Sequence, residues 1–172
     1  MAIETPRLIL RQFSIEDSSL LYQIMGDSEV MRYWASGPDK TVEQTRERIE
    51  SMLQEWRANE FGDWAVIKKE DNTLIGFCGL HHISNMPEVN LGFVLDKATW
   101  GKGYATEAAL ASLSFGFEKC HLSQIVGVTD PDNLATRRVL EKCGLRFWKD
   151  IIRKERSRVV YSVSKAEWKQ SK

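Results

Sequence analysis

The chain has 172 residues, about the length of one domain at roughly 150 residues per domain. Its 42% of hydrophobic and 28% of charged residues exclude a disordered chain, and the balance of 24 Lys and Arg against 24 Asp and Glu excludes a global attraction to nucleic acid. The lack of an 18-residue apolar run or an apolar N-terminal segment predicts no membrane span and no secretion signal, and hence a cytoplasmic location.

The N-terminal third is predicted to form one strand and two helices. A strand is indicated at residues 8–13, where Leu8, Leu10 and Phe13 flank the polar Arg11 and Gln12. The segment S-I-E-D is a capping box beginning at Ser14, and the helix after it has four apolar residues at helical spacing: Leu20, Leu21, Ile24 and Met25. A second capping box at residues 41–44 begins a longer helix with an apolar stripe: Val42, Ile49, Leu53 and Trp56.

The middle of the chain is predicted to contain three strands before a long helix: residues 64–69, residues 74–81 and Val89–Leu95. Asp71 and Asn72 are the turn residues between the first two strands. A glycine-bearing turn at residues 96–103 then leads into a helix at residues 104–119.

The C-terminal third continues the alternation of strands and helices. A strand is expected at residues 125–129, with His121 at its start. The segment P-D-N ending at Asn133 begins another helix, Gly144 terminates it, and two strands follow around residues 153–157. The sequence shows no repeat and no linker. This order predicts one mixed α/β domain.

Charge and cysteine content narrow the chemistry. Residues 137–172 carry twelve Lys and Arg against four Asp and Glu, so the remainder is acidic. The asymmetry fits an anionic cofactor on one side and a cationic substrate on the other, or simply a solvated basic face. Cys78, Cys120 and Cys143 are odd in number and too widely spaced for a zinc or redox motif. We expect reduced packing thiols and no metal.

The segment W-G-K-G-Y-A-T-E from Trp100 to Glu107 lies between a predicted strand and a predicted helix. The N–H groups of a helix N-terminus bind anions, and Gly101 and Gly103 let a phosphate approach closely. Lys102 adds a positive charge. A tight strand-to-helix connection is the alternative interpretation. The spacing excludes a Walker A loop, and the lack of a third glycine excludes a dinucleotide fingerprint.

Three segments together resemble the GNAT family of acetyltransferases. W-G-K-G-Y-A, after the strand L-G-F-V-L, is similar to the family's pyrophosphate loop, and D-N-L-A-T-R-R-V-L-E-K-C-G-L resembles its second cofactor segment. The opening T-P-R-L-I-L-R-Q-F-S-I-E-D resembles that of the ribosomal-protein N-acetyltransferases, the RimJ/RimL-like subgroup. The resemblance implies one domain over residues 1–172. Its fold would be a central mixed, mostly antiparallel sheet flanked by helices, with the cofactor in a cleft between splayed strands.

The resemblance also implies a site for acetyl-CoA. The pantetheine arm would pair with the backbone of three strand residues: Phe93, Val94 and Leu95. The pyrophosphate would lie on the amides of the loop and the first helical turn: Gly101, Lys102, Gly103, Tyr104, Ala105 and Thr106. Asn133 would hydrogen-bond near the pantetheine, and the Thr136 hydroxyl would face the sulfur as a catalytic group. Arg137 or Arg138 would meet the 3′-phosphate.

The sequence departs from the family at three positions. Trp100 stands where the loop usually has Arg or Gln, a change that the ribosomal-protein subgroup tolerates. Leu140 replaces a Tyr that often acts as general acid, and Asn90 replaces a frequent strand carboxylate. Glu88 shares a strand face with Asn90 by alternation, which makes it a candidate substitute base.

Histidine and tryptophan side chains provide further candidates. His81 and His82 are adjacent, so on a strand they point to opposite faces and one of them can enter a cleft. That histidine is either a catalytic or relay group, or a surface or core residue. Trp34 and Trp56 lie in the N-terminal helical part, where the family forms its acceptor site. Each is either a pocket wall or a core residue.

The resemblance implies an acetyl-CoA-dependent N-acetyltransferase in which a primary amine attacks directly, without a covalent enzyme intermediate. Asn90 in place of a carboxylate favours a protein or peptide N-terminal α-amine, which loses its proton more readily than a lysine does. One alternative is acetylation of a small amine such as a polyamine, an aminoglycoside or an amino acid analogue. Another is a non-catalytic acyl-CoA-binding module. We expect a monomer or a homodimer with no nucleic-acid or membrane partner.

Overall fold

The computed structural model describes residues 1–171, which form one sheet with helices on both faces. The strands are β1 (Ala2–Glu4), β2 (Leu8–Arg11), β3 (Asp63–Lys68), β4 (Thr73–His82), β5 (Val89–Leu95), β6 (Gln124–Thr129), β7 (Arg146–Arg153) and β8 (Arg156–Ser164). The α-helices are α1 (Ser18–Met25), α2 (Val42–Asn59), α3 (Tyr104–Ser114), α4 (Leu134–Lys142) and α5 (Lys165–Gln170). The strand order is β1-β2-β3-β4-β5-β6-β8-β7, and only β5 and β6 are parallel neighbours within these residues. The predicted mixed, mostly antiparallel sheet is confirmed.

Apolar residues along the central strands give the sheet two buried faces. In β3, Ala65 and Ile67 pack in a cluster with residues of α1 and α2, whereas Val66 packs in a second cluster with residues of α3 and α4. Since both faces are covered, β3 and β4 are almost continuously apolar rather than alternating. The helices of the two clusters therefore approach β5 from opposite sides.

The first two helices begin where the sequence predicts. The Asp17 carboxylate accepts a hydrogen bond from the Ser14 N–H at 2.8 Å, and α1 follows one three-residue 3₁₀ turn. At α2, the Thr41 hydroxyl accepts from the Gln44 N–H at 3.2 Å. The Gln44 side chain accepts from the Lys40 N–H, one residue before the position that a capping box requires. Within residues 1–171, no helix is long and apolar enough to cross a membrane.

Several elements differ from the sequence predictions. The three-residue β1 and the short α5 were not predicted, because neither is long enough to show a periodic apolar pattern. The helix predicted at residues 104–119 is α-helical only in α3, which ends at Ser114. A π-helical turn, Phe115–Lys119, follows it, and there the Cys120 N–H donates to the Phe115 carbonyl at 3.1 Å. The prediction that His121 begins a strand is wrong. It lies in a loop at φ 55°, and β6 begins at Gln124.

Candidate functional site

The two edges of β5 are paired very differently. Seven residue pairs join β5 to β4, whereas only two, Val89 with Ile125 and Asn90 with Val126, join it to β6. The β6-facing backbone groups of residues 91–95 therefore have no ladder partner in β6. We call this opening the β5–β6 cleft. Unpaired strand groups can bind an extended ligand through the hydrogen bonds that a neighbouring strand would make, and residues 93–95 lie along this edge.

The loop from β5 to α3 presents a row of free backbone N–H groups. Gly101 and Gly103 have φ values of 74° and 82°, in the left-handed region that favours glycine. A Cβ at Gly101 would meet nothing within 4 Å, and a Cβ at Gly103 would meet only the end of the Arg7 side chain, at 3.3 Å. Among residues 1–171, none accepts a hydrogen bond from the N–H groups of residues 101–106. Together with the positive end of α3, they make this loop a candidate anion site.

Arg7 supports this loop from the N-terminal segment. Its Nη1 donates to the Lys102 carbonyl at 2.8 Å, its Nε donates to the Glu107 carboxylate at 2.7 Å, and its guanidinium lies 4.4 Å from the centre of the Tyr104 ring. Burial raises the pKa of Glu107, but the hydrogen bonds that its carboxylate accepts from Thr5 and Arg7 outweigh this effect, and the net pKa lies below the ordinary value. The carboxylate therefore stays ionised and paired. Sequence reasoning missed Arg7, because the contacts join residues about one hundred positions apart.

Trp100 connects the loop to the end of β5. Its indole Nε1 donates to the Leu95 carbonyl at 2.9 Å, although almost half of its side chain is exposed. Lys102 Nζ donates to the Ala98 carbonyl at 3.1 Å, which places the lysine beside the glycine loop. The Leu95 carbonyl therefore already accepts one hydrogen bond from within the chain.

The start of α4 follows β6 on the other side of the cleft. The Asn133 side chain accepts a hydrogen bond from the Thr136 N–H at 3.2 Å and so caps the helix. The half-buried Thr136 has no hydrogen-bond partner for its hydroxyl among residues 1–171. Arg137 is held by the Tyr161 hydroxyl at 3.0 Å and the Pro131 carbonyl at 2.8 Å, whereas Arg138 is exposed and unpaired within the described chain.

Comparisons with known proteins agree with this geometry. A family model described as "Acetyltransferase (GNAT) domain" matches residues 7–146. The chain belongs to the GNAT family. The uncharacterized N-acetyltransferase p20 of Bacillus licheniformis is 33% identical over 85% of this chain and 82% of its own length. The uncharacterized N-acetyltransferase YnaD of Bacillus subtilis is 29% identical over 98% of this chain and 99% of its own length.

A solved GNAT structure shares the whole architecture. The acetyltransferase (GNAT family) from Bacillus anthracis is 28% identical and superposes with a TM-score of 0.83, covering 96% of this chain and 99% of that one. The predicted single-domain GNAT fold is confirmed, and the chain is an N-acetyltransferase by family. GNAT acetyltransferases use acetyl-CoA, so the β5–β6 cleft and the glycine loop are its candidate site.

The GNAT position that often holds a general-acid tyrosine is part of the core here. Leu140 is 1% exposed, and a Cβ on Gly127 would lie 2.6 Å from it, so α4 packs directly on β6. Tyr161 is also buried, and its hydroxyl accepts from Arg137 and donates to Glu141 at 3.2 Å. Neither residue offers a free hydroxyl to the cleft.

The two candidate groups of the β5 strand have different surroundings. Asn90 is 4% exposed, and its Oδ1 accepts a hydrogen bond from the Val128 N–H at 2.9 Å. Glu88 lies in a bend one residue before β5, is half-buried, and has no hydrogen bond or ion pair among residues 1–171. Asn90 is thus held in the sheet, whereas the Glu88 carboxylate makes no polar contact with the described chain.

The histidine and tryptophan candidates are now placed. His81 Nδ1 lies 3.0 Å from the Asp63 carboxylate, and His82 Nδ1 lies 2.8 Å from the Glu55 carboxylate. Trp34 is half-buried, with its ring in edge-to-face contact with Phe77, 6.3 Å between centres. Trp56 is a core residue rather than a pocket wall: it is buried, packs on Trp64 and donates to the Asp63 carbonyl at 2.9 Å.

The cysteines have the properties of packing thiols. Burial raises the pKa of Cys143 to about 12, and it also raises the pKa values of Cys78 and Cys120. All three are unpaired thiols, and two are buried. Since the thiolate is the nucleophilic form, burial makes these side chains poor acyl acceptors.

A separate groove of about 760 Å³ lies along the outer side of α3. Its lining includes Thr5, Leu110, Cys143 and Trp168, and it contains no residue of β5, of β6 or of the glycine loop at 101–106. The free amides and unpaired strand groups lie elsewhere. We therefore assign the candidate site to the β5–β6 cleft rather than to this groove.

Proposed function

We propose that this GNAT protein, over residues 1–172, transfers acetyl from acetyl-CoA to the α-amine of a protein or peptide N-terminus. The observation that carries the cofactor assignment is the β5–β6 cleft, which opens beside six backbone N–H groups without acceptors in the described chain. An extended amide-bearing arm fits the free strand edge, and a diphosphate fits the start of α3.

The residues of the cleft fit the parts of acetyl-CoA. Gly101 and Gly103 leave the loop surface open, and their positive φ values point successive amides outward. Arg138 is the exposed cation for the 3′-phosphate, since Arg137 is already held by Tyr161. Asn133 and Thr136 begin the helix on the far side of the cleft.

Transfer then needs one bond exchange. The neutral amine attacks the thioester carbon, the C–S bond breaks, and the sulfur leaves as a thiolate while the new ammonium loses a proton to water or to Glu88. Backbone N–H groups of β5 stabilise the oxyanion. The Thr136 hydroxyl donates to the departing sulfur, which needs little help because a thiol has a pKa of about 8.5. The raised pKa values of the three cysteines favour this direct route over an acyl-cysteine intermediate.

The acceptor follows from the cost of deprotonation. An α-amine with a pKa near 8 is neutral in about one molecule in ten at pH 7, whereas a lysine amine with a pKa near 10.4 is neutral in about one in 2,500. Reaching the neutral form therefore costs about 1.4 kcal/mol for the first and about 4.6 kcal/mol for the second. Asn90 supplies no base, so the α-amine is the easier acceptor.

Similarity to ribosomal-protein enzymes supports this acceptor only through the fold. The ribosomal L7/L12 α-N-protein acetyltransferase RimL, solved with coenzyme A, is 15% identical to this chain with a TM-score of 0.82. A different acceptor is favoured by the spermidine N(1)-acetyltransferase of Escherichia coli, 23% identical over 78% of this chain. Small amines are therefore the second candidate, and the site of action is proposed to be the cytoplasm.

A thiol-release assay across a pH series separates these possibilities. Three acceptors are compared by kcat/KM: a peptide with a free N-terminus, the same peptide N-blocked but carrying lysine, and spermidine. We expect the free N-terminus to exceed the blocked peptide by at least tenfold. A preference for the lysine peptide or spermidine would contradict the α-amine assignment. Binding of acetyl-CoA without thiol release on any acceptor would indicate a non-catalytic module.

A further inference from the structure

Three polar side chains from three adjacent strands form one chain of hydrogen bonds that ends in the β5–β6 cleft. Asp63 of β3 lies 3.0 Å from His81 Nδ1 of β4, and His81 Nε2 lies 3.1 Å from Asn90 Nδ2 of β5. Asn90 Oδ1 then accepts from the Val128 N–H of β6 at 2.9 Å. Asp63 and Asn90 are buried, at 6% and 4% exposed. Buried polar chains of this kind fix the orientation of each member.

The direction of every hydrogen bond in the chain follows from its last member. The Val128 backbone N–H can only donate, so the oxygen of the Asn90 amide must face it. The amide nitrogen of Asn90 then faces His81 and donates to Nε2. His81 must therefore carry its single ring hydrogen on Nδ1 and donate it to Asp63. The network is complete only with a neutral ring.

The Asn90 side chain acts where the strand ladder stops. The last residue pair between β5 and β6 is Asn90 with Val126, two residues before Val128. The amide side chain thus continues the contact between the strands for one more hydrogen bond at the start of the opening. A Cβ on Gly92 would lie 2.6 Å from the His81 ring, so the next residue of that strand face leaves room for the imidazole.

Charged groups around His81 act against this neutral form. Burial lowers the pKa of His81, but the Asp63 charge and its hydrogen bond raise it, and the net pKa lies above the ordinary value. Glu55 of α2 adds to the increase, and Arg153 of β7 opposes it. The Asn90 amide acts in the same direction as Arg153, because its hydrogens face Nε2 and repel a second ring proton. Asp63 therefore favours a second proton on the ring, whereas Asn90 opposes it.

We propose that Asn90 is a positioning residue that holds β6 at a fixed distance from β5, and that a neutral His81 is required for this hold. This inference rests on the proposed use of the β5–β6 cleft for acetyl-CoA. A second proton on His81 places a donor against the Asn90 amide donor. Asn90 must then turn away or release Val128, and the start of the cleft is no longer held. Acid would weaken cofactor binding before any acceptor amine is involved.

The test is calorimetric binding of coenzyme A alone, from pH 8.5 to pH 5.5, to the full chain and two variants. In Asn90→Asp, one carboxylate oxygen accepts from Val128 and the other accepts from a protonated His81. This variant should therefore keep its affinity in acid. The wild type should lose at least tenfold more affinity over this range than Asn90→Asp. Asn90→Ala, which has no side-chain link, should bind at least tenfold more weakly than the wild type at pH 8.5.

The comparison at each pH cancels titration of the ligand phosphates, which is common to all three proteins. Circular dichroism at each pH checks that the variants are folded. Parallel pH profiles for the wild type and Asn90→Asp would overturn the inference while leaving the proposed function intact. No binding by any of the three folded proteins would instead overturn the proposed function. A ¹⁵N histidine spectrum gives an independent check, since His81 at pH 8.5 should carry its hydrogen on Nδ1, and an Nε2-protonated ring would contradict the network.

Discussion

The two edges of β5 belong to one strand and have opposite structures. Toward β4 the strand is closed by seven antiparallel pairs, and a Cβ on Gly76 of β4 would clash with the backbone oxygen of Val94. Toward β6 it has two parallel pairs, then one side-chain link from Asn90, and then an opening. The closed edge excludes any ligand because backbone fills the space.

The sequence of β5 does not by itself account for the opening. Its apolar pattern is that of an ordinary buried strand, with Val89, Leu91 and Leu95 in one core cluster and Val94 in the other. Its neighbour β6 packs closely on α4, where a Cβ on Gly127 would lie 2.6 Å from the Leu140 side chain. A strand with an unpaired edge is normally a liability, so its retention here suits a site that a ligand covers.

The largest expected effect comes from closing the open side at the glycine loop. Gly103→Val adds a branched side chain where the amides must approach the diphosphate, and φ at this residue is 82°. We expect the Kd for acetyl-CoA to rise about a hundredfold, or about 2.7 kcal/mol, in a folded protein. Isothermal titration calorimetry measures the Kd.

Gly144→Val is the matched control for this change. Gly144 also has a positive φ, 90°, and a Cβ at this position would meet nothing within 4 Å, so the variant carries the same backbone strain away from the loop. Its Kd should stay within about threefold of the wild type. Equal loss of binding in both variants would attribute the effect to strain and not to the loop.

A smaller effect is expected from the α4 side of the opening. Thr136→Ala removes the proposed donor to the leaving sulfur and should lower kcat about tenfold, or about 1.4 kcal/mol, with little change in acetyl-CoA affinity. Thr136→Ser keeps the hydroxyl and should retain most of the activity. A kcat for Thr136→Ala equal to that of the wild type would show that Thr136 has no catalytic role and is only a helix residue beside the cleft.

The helices and strands that surround the closed edge of β5 were largely predictable from the sequence. Apolar runs between turn residues and the caps at Ser14 and Thr41 are local signals, and they gave most of the strands and the helix starts. The glycine loop was also predictable from the sequence, because its positive φ values and its free amides arise within residues 101–106. Its assignment to a family needed the resemblance of three separated segments, and the comparisons confirmed that family.

The open side was less predictable because it depends on contacts between distant residues. Arg7 beneath the loop and Asp63 beside His81 are joined to their partners only by the tertiary fold. The sequence identified Asn90 by its departure from the family pattern, yet its hydrogen bonds to two neighbouring strands follow from sheet register. The roles of Glu88 and Thr136 stay predictions.

Hydrogen–deuterium exchange with and without acetyl-CoA locates the cofactor site on the protein. We expect protection of the amides of residues 101–106, which have no acceptor within the described chain, together with the β6-facing amides among residues 91–95 of β5. The amides of residues 76–80 in β4, which pairs with the closed edge of β5, should exchange at the same rate with and without acetyl-CoA. Protection confined to the groove around Leu110 and Trp168, with residues 101–106 unchanged, would contradict the assignment of the acetyl-CoA site.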